Sequence, residues 1–165
     1  MTRNIDDLCR KAFELARHNE HEYTGCCQTT LAGILDALER PADEVFKAAS
    51  GMADGMGLST RGSCGALVAG ALAIGLYFGR ERKDFEDPLA AMDSYDLVLD
   101  LVEQFEKRFG ALCCADIQTA HAGRSFDLRR PEDMEAALEA GMLDHCSGVA
   151  GTAAEIAARI ILEES

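Results

Sequence analysis

Cysteine dominates the chemistry available to this chain, which has seven cysteines among its 165 residues and no tryptophan. Four cysteine sites are expected at or just before the start of a helical segment: Cys26, Cys64, Cys114 and Cys146, with Cys27 and Cys113 adjacent to two of them. A helix start presents unpaired N–H groups and partial positive charge, which stabilise thiolates and the anionic centres that thiolates hold. The pattern therefore predicts chemistry that runs through sulfur.

The spacing of these cysteines contains no Cys-x-x-Cys pair, so the spacing alone identifies no particular site. Four thiolates suit zinc or an iron–sulfur centre, and helix starts at one end of a bundle could bring them together. Two other interpretations stay open. The adjacent pairs could act as metal-free dithiols, or the cysteines could be small buried apolar residues. Cys9, on the apolar stripe of the first helix, is expected to be of the last kind.

The elements that must position these residues are helical nearly throughout. Apolar residues recur at three- and four-residue spacing, and no run alternates with period two for long enough to predict a strand. The uncharged run 62–79 predicts a Gly/Ala-rich central helix buried on all sides, with Ser59 or Thr60 as its N-cap. The expected fold is an all-α, single-domain helical bundle over residues 1–165.

The remaining helix boundaries are predicted from capping signals and from Gly and Pro positions. The first helix is expected over about residues 3–18, and the second from near Cys26 or Cys27. Four further helices are expected. One begins at Pro41, one follows Pro88 and ends at Gly110, one begins at Pro131, and the last begins after Cys146.

The formal net charge of −13 disfavours nucleic acid and anionic membranes as partners, because both require a positive surface. Run 62–79 is long enough to cross a membrane, but its glycines favour a buried helix. No secretory signal follows Met1, so a cytoplasmic, reducing compartment is expected. The expected partner is a redox protein that docks through a basic face, and a homodimer is a further option.

Several other side chains could contribute to a site near the cysteines, although a solvated surface role is the simpler interpretation for each. A histidine beside a cysteine could be a ligand or proton carrier, acidic residues could lower the potential of a cluster, and arginines could donate a hydrogen bond or cap the central helix. The candidates are His145 and His121, Asp116 and Asp144, and Arg61 and Arg80. No Ser-His-Asp set, phosphate loop or dinucleotide fingerprint is recognisable.

The sequence resembles the redox-active family named for its C, GCAxxG, C, C pattern. The resemblance rests on the stretch 49–57, on Cys64-Gly65-Ala66 and on Gly79-Arg80. Cys26-Cys27-Gln28 is similar to the family's Cys-Ala-Gln, and residues 109–117 are similar to its Phe-Gly…Cys block, with an Ala-rich helix following Cys146. The similarity covers roughly residues 20–163. In one departure, the family's glycine three residues after Ala66 is Ala69 here, with Gly70 displaced by one.

The resemblance implies that Cys26, Cys64, Cys114 and Cys146 bind the cofactor and ligate its metal, with Cys27 and Cys113 as extra cysteines. The family is similar in part to the split-Soret cytochromes, which implies an iron–sulfur centre, most simply 2Fe-2S. No Cys-x-x-Cys-His is present, so covalent haem is not expected. Electron transfer or redox sensing is the expected function. A metal-free thiol–disulfide oxidoreductase and a structural zinc-binding interaction domain are the alternatives, and whether the chain is an enzyme stays open.

Overall fold

The computed structural model describes residues 4–165, so residue 3, the expected start of the first helix, lies outside the described range. Within that range the chain forms α-helices joined by loops and short 3-10 turns. The only extended pairing between these residues is a single antiparallel bridge between Ser63 and Cys113. The prediction of an all-α fold is confirmed.

The helices in chain order are α1 (Ile5–Tyr23), α2 (Cys26–Ala37), α3 (Asp43–Ala48), α4 (Gly65–Phe78), α5 (Met92–Phe109), α6 (Cys114–Ala122), α7 (Pro131–Glu139) and α8 (Met142–Glu164). Short 3-10 turns occupy Ala49–Met52, Arg82–Asp84 and Pro88–Ala91. None of the described helices combines the length and the apolar character that crossing a membrane requires.

Several helix ends follow the Gly and Pro signals in the sequence. Gly110 ends α5 in the left-handed conformation at φ 74°. Pro131 is the first residue of α7, a position whose N–H has no partner within the helix, so proline loses no hydrogen bond there. Gly141, at φ 73°, separates α7 from α8. The predicted boundaries at Gly110 and Pro131 are confirmed.

Other predicted boundaries were wrong, each for a local reason. The helix expected at Pro41 begins at Asp43. Neither Ser59 nor Thr60 caps α4, whose N-cap is Cys64, because the segment before it is held extended by pairing with the segment before α6. Cys146 does not precede α8 but lies in its second turn, since the helix restarts directly after Gly141.

The core lies between α1, α2, α4 and α8, with α5 packed against α4 and α8. Half of the residues of α4 are buried. At Gly70 a Cβ atom would come within 2.8 Å of the Leu101 side chain and 3.3 Å of the Ala157 Cβ. Glycine therefore allows α4 to approach α5 and α8 closely at the position where this chain departs from the family pattern.

Candidate functional site

A cavity of about 390 Å³ is lined by Cys26, Cys64, Cys114 and Cys146 together. The four residues come from four helices. Cys26 and Cys114 are the first residues of α2 and α6, Cys64 is the N-cap of α4, and Cys146 lies in the second turn of α8. The structure thus brings together the four sites singled out in the sequence, although their role as ligands stays a prediction.

The other three cysteines lie away from the cavity wall. Cys9 and Cys27 are fully buried in the core. The Cys113 thiol lies 3.5 Å from the carbonyl oxygen of Thr60, to which it donates. All seven cysteines are free thiols. Each adjacent pair is therefore split, with one cysteine on the cavity and its neighbour elsewhere.

The starts of α4 and α6 are held side by side by backbone hydrogen bonds. The Cys64 amide donates to the Leu112 carbonyl at 2.8 Å, and the Cys114 amide donates to the Gly62 carbonyl at 3.0 Å. The Ala115 amide donates to the Thr60 carbonyl, also at 3.0 Å. Because these amides of α6 already have acceptors, they are not available to an anion in the cavity. At α6, two of the expected free amides therefore have acceptors already, and Cys146, in the second turn of α8, lies past the helix start.

Glycine at position 65 lets the start of α2 approach the start of α4. A Cβ atom at Gly65 would collide with the Cys26 sulfur, and it would lie 3.0 Å from the Met52 carbonyl oxygen and 3.1 Å from the Cys27 amide nitrogen. Only a residue without a side chain fits between these atoms. Gly65 therefore keeps Cys26 beside the first turn of α4, next to Cys64.

Asp54, which the sequence analysis did not single out, contacts two of the four cysteines. Its backbone amide donates to the Cys26 sulfur at 3.4 Å. Its Oδ1 accepts from the Cys114 thiol at 3.1 Å and from Gln118 Nε2 at 2.7 Å. Asp54 is 8% exposed, and its Oδ2 has no hydrogen-bond donor in the part of the chain that the structure describes. The residue thus presents a buried, unsatisfied oxygen beside the cysteines.

Gln118 connects this cluster to the loop after α6. Its Nε2 also lies 3.4 Å from the Cys114 sulfur, and its Oε1 accepts from the Phe126 amide at 3.0 Å. Phe126 is buried and lines the cavity. Gln118 therefore fixes both the side chain of Asp54 and the loop that closes one side of the cavity.

Glu20 is a second buried acid on the cavity wall, only 6% exposed. Burial raises its pKa to about 7, partly opposed by the Thr29 hydroxyl, which donates to Oε2 at 2.6 Å, and reinforced by the charge of Asp54. The first helix was predicted to end near residue 18, which left Glu20 outside it. In the structure α1 continues to Tyr23 and places Glu20 on the buried face.

Burial raises the pKa of each of the four cavity thiols. For Cys64 the pKa rises to about 11, although the amides of Ala66 and Leu67 in the first turn of α4 act in the opposite direction. Cys64 in turn raises the pKa values of Cys26 and Cys146. Desolvation therefore outweighs the helix starts, and the protein alone holds these residues as neutral thiols.

The rest of the cavity wall is mainly apolar. Phe126 and Leu128 contribute from the loop after α6, and Met134 and Leu138 contribute from α7. No acid–base set was recognisable in the sequence. The structure corrects this, because a cavity exists and Glu20 and Asp54 both line it.

The two histidine candidates form a pair outside the cavity lining. The rings of His121 and His145 stack with centroids 4.1 Å apart and planes 15° from parallel. His145 is half-buried, and burial lowers its pKa, with His121 acting in the same direction. The stacked pair therefore does not join the four cysteines on the cavity wall.

The charged candidates likewise lie outside the site. Asp116, Asp144 and Arg61 are exposed. Arg80 donates to the Asp87 carbonyl at 3.0 Å and does not cap α4. The residue that does reach the end of α4 is Arg40, which donates to the Leu76 carbonyl at 3.2 Å.

Across residues 4–165, no three His, Cys, Asp or Glu side chains are already arranged to hold a single metal ion. The fold and the cavity define an all-α protein with a buried, cysteine-lined site. The family model described as "Putative redox-active protein (C_GCAxxG_C_C)" matches residues 24–160, which include all four cavity cysteines. The chain belongs to this family of redox-active proteins. No curated protein and no solved structure matches the chain.

Proposed function

We propose that this protein transfers electrons or senses redox state through an iron–sulfur centre ligated by Cys26, Cys64, Cys114 and Cys146. The observation that carries the proposal is that one cavity is lined by these four free cysteines, which come from four separate helices. Such a centre, when bound, supplies reversible one-electron transfer, most simply as two irons with two sulfides. The family assignment supports the redox role.

The chemistry of the cavity fits such a group. Iron–sulfur centres take cysteine thiolates, and the thiols here are buried and neutral, so a cation is needed to offset the charge of their thiolates. A cavity of about 390 Å³ also favours a centre of several atoms. The four sulfurs of a zinc site would lie only about 2.3 Å from a single ion. Structural zinc therefore becomes the second choice for the metal.

The surrounding residues hold the four sulfurs in place. Gly65 allows α2 to approach α4, and the pairing of Cys64 with Leu112 locks α4 beside α6. Gln118 directs an N–H toward the Cys114 sulfur, and hydrogen bonds to sulfur tune the potential of such centres. The apolar wall limits the access of water to the sulfurs.

The metal-free dithiol alternative receives less support from the side-chain positions. Cys26 lines the cavity, whereas Cys27 is fully buried in the core. Cys114 donates to Asp54, whereas Cys113 donates to the Thr60 carbonyl. The two thiols of each adjacent pair therefore lie in different surroundings. This arrangement does not favour repeated formation of a disulfide between them.

The net charge of −13 bears on the partner. An acidic protein attracts and orients a partner with a basic face, and this attraction weakens with salt. We expect the electron donor or acceptor to be a protein of that kind, in the reducing, cytoplasmic compartment that seven free cysteines favour.

The proposal is tested by purifying the protein without oxygen and measuring iron, sulfide and visible absorption. We expect about two irons per chain. Serine at any one of the four cavity cysteines should remove most of the iron, whereas the matched controls Cys27→Ser and Cys113→Ser should retain it. Absence of iron from the anaerobic wild type would refute the proposal, and zinc in its place would favour the structural alternative. Loss of thiol turnover in the two control variants, with no metal present, would favour the dithiol mechanism.

A further inference from the structure

We infer that the cavity also binds an uncharged, largely apolar small molecule beside the proposed centre. This ligand would lie against the part of the cavity lining formed by Phe126, Leu128, Met134 and Leu138, here called the α7 wall. The inference goes beyond the proposed function and rests on it only for the part of the cavity that the centre would fill.

The cavity is larger than a two-iron centre needs. Counted at about 30 Å³ per atom, the volume of a water molecule in the liquid, two irons and two sulfides fill about 120 Å³. About 270 Å³ of the 390 Å³ then remains, which is room for about ten non-hydrogen atoms on the same count. Protein interiors are close-packed and contain few voids larger than a water molecule. A space of this size is therefore suited to a small ligand.

The cavity lies between two separate clusters of buried apolar residues. Phe126, Ala137 and Met142 form a small cluster that, among the described residues, is distinct from the main core. All three line the cavity, and so do Ala66 and Val149 of the main core. Both clusters therefore border the same space, and an apolar occupant would remove both surfaces from water.

The α7 wall reaches the protein surface. Met134 and Leu138 line the cavity and are also 48% and 58% exposed. They lie about one helical turn apart on α7, so their side chains are neighbours on one face of the helix. A small molecule can therefore enter the cavity from solvent beside α7.

The charged groups of the lining favour an uncharged ligand. Glu20 and Asp54 are acids, and no lysine or arginine lines the cavity in the described chain. A carboxylate or phosphate in this space would have no counter-charge, and an unpaired buried charge is unfavourable. The acids also hold internal partners, since Glu20 Oε2 accepts from Thr29 at 2.6 Å and Asp54 Oδ1 accepts from Gln118 at 2.7 Å. They are therefore less available to pair with a cation.

The experiment titrates the anaerobically purified, iron-containing protein with naphthylmethanol and follows binding by calorimetry. Naphthoate and naphthylmethylammonium carry the same rings with a negative or a positive charge, so they test the charge of the ligand. Met134→Ala and Leu138→Ala shorten the α7 wall at partly exposed positions, where the cost to the fold is small. Leu99→Ala, at a residue 55% exposed on α5 and outside the cavity lining, is the matched control. Iron content and visible absorption are measured before and after each titration.

Naphthylmethanol should bind saturably, with one molecule per chain and with the iron content and visible absorption unchanged. Naphthoate should bind more weakly by about tenfold or more, because its charge has no partner in the cavity. Met134→Ala and Leu138→Ala should each weaken the binding of naphthylmethanol by about fivefold, since each removes apolar contact area. Leu99→Ala should match the wild type.

Absence of saturable binding by the iron-containing protein, or binding that neither alanine variant weakens, overturns the inference and leaves the proposed function intact. Binding only after iron is removed also overturns it, because the cavity then belongs to the centre alone. Tighter binding of naphthylmethylammonium than of naphthylmethanol overturns the class of ligand. Wild type without iron refutes the proposed function, whereas naphthylmethanol binding that the two alanine variants weaken supports the inference in that case too.

Discussion

Replacing Glu20 by glutamine tests the electrostatics of the cavity. Burial raises the pKa of Glu20 from its ordinary value of 4.5 to about 7. A carboxyl group whose pKa is higher in the folded state destabilises the fold once the unfolded chain has lost its proton. This penalty is absent below about pH 4.5, grows between pH 4.5 and 7, and is complete above about 7. The difference corresponds to about 3 kcal/mol, at 1.36 kcal/mol for each pH unit.

The free energy of unfolding should be measured by urea denaturation of the reduced, metal-free proteins at pH 4 and pH 8. Glu20→Gln is expected to be more stable than wild type by about 3 kcal/mol at pH 8 and nearly equal to it at pH 4. Glutamine keeps an oxygen that can accept from Thr29 Oγ1, so the comparison isolates the charge. Glu14→Gln, on the exposed face of α1, should stay within about 0.5 kcal/mol of wild type at both pH values. A Glu20→Gln variant that is no more stable than wild type at pH 8 would refute the reasoning.

Two further substitutions test the packing around the site. Gly65→Ala should destabilise the protein by about 1–3 kcal/mol, because the added methyl group meets the Cys26 sulfur and backbone atoms, and it should also lower iron content. Gly75→Ala lies on the same helix at a position where a Cβ meets nothing within 4 Å, so it should instead stabilise the protein by about 0.5–1 kcal/mol. Equal shifts in melting temperature for the two variants would contradict the close contact assigned to Gly65. Thr30→Val removes a fully buried hydroxyl that has no hydrogen-bond partner among the described residues. Thermal unfolding should therefore show a gain in stability of about 1 kcal/mol. A loss of stability would show that the hydroxyl does have a partner.

The helical class of the fold could be predicted because apolar spacing and end signals are local properties of a sequence. Gly110, Pro131 and Gly141 mark helix ends by their own backbone preferences, and the structure agrees with them. The start of α4 could not be read locally. It depends on the pairing of Cys64 with Leu112, a contact between segments almost fifty residues apart.

The acids of the site escaped the sequence analysis for two different reasons. Glu20 continues the buried face of α1 at the helical spacing of Ala12 and Ala16, so that spacing could have revealed it. Asp54 lies at φ 49° in an irregular loop, where no periodicity applies. Its partners Cys114 and Gln118 lie 60 or more residues away, and only the folded chain brings them together.

The position of the acids also determines the electrostatic character of the site. Glu20 and Asp54 lie on the cavity wall, and no lysine or arginine lines it in the described chain. The amides at the start of α6 already donate to Gly62 and Thr60, so helix starts offset less negative charge than the positions of the cysteines imply. Negative charge beside a redox centre stabilises its oxidised, less negative state. Under the proposed function, each of these acids, when ionised, would therefore lower the reduction potential of the centre.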